Sequence, residues 1–92
     1  MDSKHIKILK EAEKLVSNSR EKAYGNKLAN HTNIAKLWSA YKDVEITSHD
    51  VAIMMALLKM ARTKLGAVSK DTYIDMAAYS AIAGEIKFKE KK

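Results

Sequence analysis

Neither cysteine nor proline occurs anywhere in the 92 residues, and glycine occurs only three times. Without cysteine there is no disulfide framework and no thiolate metal site, and His5, His31 and His49 have no mutual spacing suited to a zinc centre or a catalytic triad. Serine nucleophile chemistry finds no support either. Without proline, nothing in the chain breaks a helix from within. No apolar run reaches the roughly 18 residues of a membrane span, and the start lacks the basic, apolar and small-residue succession of a secretion signal. These absences lead to the expectation of an intracellular chain, indifferent to redox conditions and independent of membranes.

What is present is a single domain's length, 1–92, near the lower limit at which one core sustains a fold, so assembly into a homo-oligomer is expected. Seventeen Lys and Arg against eleven Asp and Glu leave a net charge of +6, which favours nucleotides, nucleic acid or an acidic protein surface as partner. Part of that excess, Lys87, Lys89, Lys91 and Lys92, falls in a tail (87–92) beyond an ordered core of about 4–86. Discounting the tail weakens the case for nucleic acid.

Apolar residues recur at three and four spacings and strand-like alternation is missing, so the fold class is all-α. A first helix, about 4–17, has Ser3 as N-cap and a stripe of Ile6, Leu9, Ala12, Leu15 and Val16. The polar segment after it, with Gly25 and several Asn, reads as a long ordered connector, and the caps available near its end are Asn30, His31 and Asn33. A second helix, about 30–42, turns Ile34, Ala35, Leu37, Trp38 and Tyr41 inward. Thr47 and Asp50 form an acidic variant of the capping box before a third helix, about 48–65. That helix, with its run "VAIMMALLKMA", is apolar nearly all round, so it is either central or covered by a partner subunit. Gly66 suits a left-handed C-cap, and Ser69 can cap a fourth helix, about 70–86, whose packing side is Ile74, Ala77, Ala78, Ala81 and Ile82. Alanines on the third and fourth helices permit close approach, so these two are expected to form a central antiparallel hairpin within a compact four-helix domain.

With the hairpin turn near Ala67 and Val68, Arg62 falls opposite residue 73 and Lys59 opposite residue 76. Arg62 then reaches Asp71 and Asp75, and Lys59 reaches Asp75 or Tyr79. Asp75 shares a stripe with Ala78, Tyr79 and Ile82, and a partly buried carboxylate needs a cation or donors. Either an Arg62–Asp75 clasp holds the hairpin, or the same charges form a site in which the carboxylates Asp71 and Asp75 hold Mg²⁺ or the cations hold a phosphate. Two carboxylates hold Mg²⁺ poorly, and Asp50, Glu85, Glu11 and Glu13 are the other oxygen donors available. The connector adds Arg20, Lys22, Tyr24 and Gly25, suited to a phosphate or a stacked base, although Tyr24 as packing anchor and Gly25 as turn residue is the plainer reading. Met54, Met55 and Met60 read as core or interface.

The run of "REKAYGN", "NHTNIAKLWSAYKDVEITSHDVAIMMALLKMARTK" and "DTYIDMAAYSAIAGE" resembles a family of small uncharacterised proteins of phages and prophages, over roughly residues 8–86. More distantly, the layout is similar to the all-α MazG-like nucleoside triphosphate pyrophosphohydrolases and to phage nucleotide-modification proteins with a Tyr-Gly motif and a helical Asp-x-x-x-Asp. The resemblance implies the cytoplasm of a phage or prophage host as location, a nucleotide as ligand, and Asp71 and Asp75 as one metal-binding acidic helix. The facing helix, which should carry an E-E-x-x-E type motif, offers Lys59 and Arg62 instead.

Three functions follow for comparison. The first is a nucleotide binder, with Arg20, Lys22, Tyr24, Lys59 and Arg62 on phosphates or base and Asp75 and Tyr79 beside them, hydrolysing poorly or not at all. The second is a non-enzymatic interaction factor that binds and inhibits a host protein through the apolar third helix. The third, a DNA-binding helix-turn-helix, ranks last because "SHDVAIMM" lacks the basic residues a recognition helix carries at its start.

Overall fold

The computed structural model describes residues 3–17, 26–66 and 69–89, with the backbone alone described at Leu65. The described residues form four helices: α1 (Lys4–Val16), α2 (Lys27–Lys42), α3 (Ser48–Leu65) and α4 (Lys70–Lys89). No strand occurs among them. α3 packs most extensively on α4, α1 lies along α4, and α2 lies on α3. The central pair is therefore the hairpin that the alanine spacing predicts.

Local chemistry explains the helix ends. Thr47 Oγ1 accepts from Asp50 N–H at 3.1 Å while Asp50 Oδ2 accepts from Thr47 N–H at 3.0 Å, the reciprocal capping box expected from the sequence. α2 begins three residues earlier than expected, because Asn26 rather than Asn30, His31 or Asn33 is its N-cap and accepts from Ala29 N–H at 2.9 Å. It ends on Asp43 in the left-handed region (φ 58°, ψ 39°). Gly66 does not take that conformation: it closes α3 extended, its N–H donating to Arg62 O at 3.2 Å. Ser3 precedes α1, but its hydroxyl lies 3.1 Å from His5 Nδ1 and makes no cap bond. α4 continues through Lys87 to Lys89, three residues past its expected end.

The core is thin and rich in alanine. Ala52, Ile82, Ala83 and Ile86 form one cluster, with Val16 and Tyr79 against it; Ala12, Ile74 and Ala78 form a second, with Ile8, Leu15, Val16 and Ala77 against it. Several residues expected inside are not covered. Ile6 and Leu9 of α1 are exposed, Ile8 taking their place. Leu37 and Tyr41 of α2 are 62% and 87% exposed, and Ala81 of α4 faces solvent. On α3, Ser48, Val51 and Ala52 are buried, whereas Ile53, Met54, Leu57, Leu58 and Met60 are exposed. A helix apolar on every side has thus been covered on one side only. Among the described residues, no helix is long and apolar enough to cross a membrane.

Candidate ligand-binding site

The α3–α4 interface brings Lys59 and Asp75 together, Nζ to Oδ2 at 3.1 Å, with side chains only 17% and 30% exposed. This pairing lies one residue from the register read from the turn, which set both Lys59 and Arg62 within reach of Asp75, and Lys59 is the one that takes it. The Arg62–Asp75 clasp is accordingly replaced by Lys59–Asp75. Arg62, nearly one turn further along α3, is exposed, and no carboxylate lies within ion-pair distance of it among the described residues. Asp71 is exposed in the first turn of α4, where its charge favours the helix N-terminus.

Tyr79, one turn beyond Asp75, is half-buried against the Ala52 cluster, and its ring centroid lies 6.3 Å from that of His31, tilted by 57°. His31 is buried, a placement the capping interpretation did not foresee. Its Nδ1 lies 2.8 Å from the Lys27 carbonyl, which can only accept, so Nδ1 donates to it. The buried Nε2 has no hydrogen-bond partner. The signal was present in the sequence: His31, Ala35 and Trp38 share one helical stripe. Lys27 Nζ in turn donates to Val16 O at 3.0 Å, joining the start of α2 to the end of α1.

Arg20, Lys22, Tyr24 and Gly25 lie outside the described residues. The remaining oxygen donors are dispersed. Glu11 pairs with Lys14 at 3.6 Å, Glu85 with Lys89 at 3.6 Å, Asp50 serves the α3 cap, and Glu13 is exposed. Among the described residues no three His, Asp or Glu side chains come together to hold a metal ion. The donor set of Asp71 and Asp75, one exposed and the other held by Lys59, does not fit a resident Mg²⁺. A cleft between the start of α2 and the end of α4, lined by residues including Lys27, Leu28, Ile82 and Ile86, measures about 30 Å³. That is room for a water molecule, not for a nucleotide.

An all-helical domain with an ion-paired hairpin and one uncovered apolar helix face is the class these features define. The chain matches the domain of unknown function DUF6378 over residues 7–87 and belongs to that family. It is 41% identical over 86 residues to the Gene 55 protein of Mycobacterium phage L5, an alignment covering 92% of this chain and 55% of the phage protein. To the Gene 55 protein of Mycobacterium phage D29 it is 40% identical over 79 residues, covering 86% and 52%. The chain spans about half the length of the curated relatives it matches. No solved structure matches it. Kinship with phage proteins therefore stands, and a likeness to MazG-like enzymes is not shown.

Proposed function

We propose that this chain is a phage-type helical protein that binds a phosphorylated ligand, most simply a nucleotide, beside the α3–α4 ion pair. The observation that carries this reading is Arg62: an exposed guanidinium without a described carboxylate partner, nearly one turn from a Lys59 already fixed by Asp75. A planar guanidinium suits a phosphate bidentately, and Asp75 holds Lys59 in place to supply a second positive charge. Tyr79 continues the same stripe, and Arg20, Lys22 and Tyr24 of the connector would complete the phosphate and base contacts. Because the carboxylates do not gather, the reading is of binding rather than MazG-like hydrolysis, and Mg²⁺ would enter as the counter-ion of a bound triphosphate.

Thermal shift with nucleoside mono-, di- and triphosphates, with and without Mg²⁺, tests it. At about ten times the dissociation constant, binding adds roughly 1.4 kcal/mol, a rise of several degrees for a chain of this size. Arg62→Ala should abolish the rise with the fold intact. No shift with any nucleotide overturns the proposal.

A second reading, a factor that engages a host protein, is favoured by the exposed Ile53, Met54, Leu57, Leu58 and Met60 on α3. Under it, Arg62→Ala leaves partner binding unchanged. The DNA-binding reading gains nothing, since Asp50 puts an anionic residue in the first turn of α3.

A further inference from the structure

The apolar face of α3 has a symmetry of its own. At 100° per residue, Leu57 stands about 180° around the helix from the buried Ser48, so it marks the centre of the uncovered side. Ile53, Leu57 and Met60 follow one seam, and Met54, Leu58 and Ala61 follow the next, the 4-3 spacing by which helices interlock. The face is closed at its two ends by opposite charges, Asp50 in the first turn, its carboxylate also capping Thr47 N–H, and Lys64 in the last; at 100° per residue both Cα positions fall about 20° from Leu57 around the helix. Asp50 and Lys64 each lie seven residues from Leu57.

We propose that this face is the interface of a two-fold symmetric dimer in which α3 packs antiparallel on α3 of a second copy, with Leu57 on the axis. In that register Leu57 meets its own copy, Met54 meets Met60, Ile53 meets Ala61, and Asp50 meets Lys64 at both rims. A parallel pairing would set Asp50 on Asp50 and Lys64 on Lys64, so the charges select the antiparallel one. The face lies opposite the Lys59–Asp75 pair, so the dimer does not rest on the proposed ligand site.

Sedimentation or light scattering of the purified chain should give a dimer, and Leu57→Glu, which sets two carboxylates on the axis, should weaken it at least about thirtyfold while helicity is retained. The absence of native cysteine allows a second measurement that does not depend on that variant folding. Under mild oxidation L57C should form a disulfide-linked dimer, whereas K64C should not, because the two copies of residue 64 stand about 21 Å apart along the pair. Linkage of both variants would show a parallel pairing and linkage of neither would exclude this face. A monomer at all concentrations would overturn the proposal outright.

Discussion

At the scale of single residues, the Lys59–Asp75 pair is the feature with the most physical consequence. Both side chains are largely withdrawn from water, so each ion depends on the other for compensation. Replacing Lys59 by Met should cost about 1–2 kcal/mol, between the values of exposed and fully buried pairs, because Asp75 is left poorly solvated. Adding Asp75→Asn to that variant should cost little more. A double-mutant cycle by urea denaturation measures the coupling, and strict additivity would mean that the two charges do not sense each other. The sequence leaves Asp75 between two cations, because Lys59 and Arg62 lie on one stripe of α3 and both fall within reach of it; the packing of α3 on α4 gives it to Lys59.

At the scale of elements, the ends of the helices carry separable contributions. The Asp50 carboxyl is held below its ordinary value of 3.8 mainly by the hydrogen bond from Thr47 N–H, with burial opposing and the Thr47 side chain, His49 and Lys87 assisting. A carboxylate with a lowered folded-state pKa stabilises the fold above its unfolded value and loses that contribution as pH falls through the folded value. Acid unfolding of the wild type should therefore steepen below about pH 4, and Asp50→Asn should flatten that limb in a circular-dichroism titration. Thr47→Ala should cost about 1 kcal/mol at neutral pH through loss of the other half of the box. Asp43 ends α2 in the left-handed region, where any side chain larger than hydrogen is strained. Asp43→Gly should raise stability by about 0.5–1 kcal/mol, read as a higher melting temperature.

For the whole molecule, the described helices form a thin alanine core and leave one side of α3 uncovered, so apolar surface remains for a further partner. If α3 pairs with a second copy, folding and association are linked, and the melting temperature should rise with protein concentration over a hundredfold range. Leu57→Glu should remove that dependence, and a concentration-independent melting temperature in the wild type would argue against an obligate assembly. The same reasoning separates the ligand from the interface. A nucleotide-dependent shift that survives in Leu57→Glu but not in Arg62→Ala would place binding on the α4 side of α3 alone.

The amino-acid sequence by itself determined what local interactions decide: helix as the regular structure of the described residues, the Thr47–Asp50 box, the hairpin of α3 and α4, and the kinship with phage proteins carried by its motifs. These depend on residues a few positions apart, or on spacing that survives any tertiary arrangement. Tertiary structure decided what depends on which surface meets which. It chose Ile8 over Ile6 and Leu9 on α1, left Leu37 and Tyr41 in water, buried His31 with Nε2 unmatched, and gave Asp75 to Lys59. An apolar stripe states that a face should be covered. What covers it, and whether it belongs to the same chain, is set by the packing of elements distant in sequence, and α3 shows both answers on one helix.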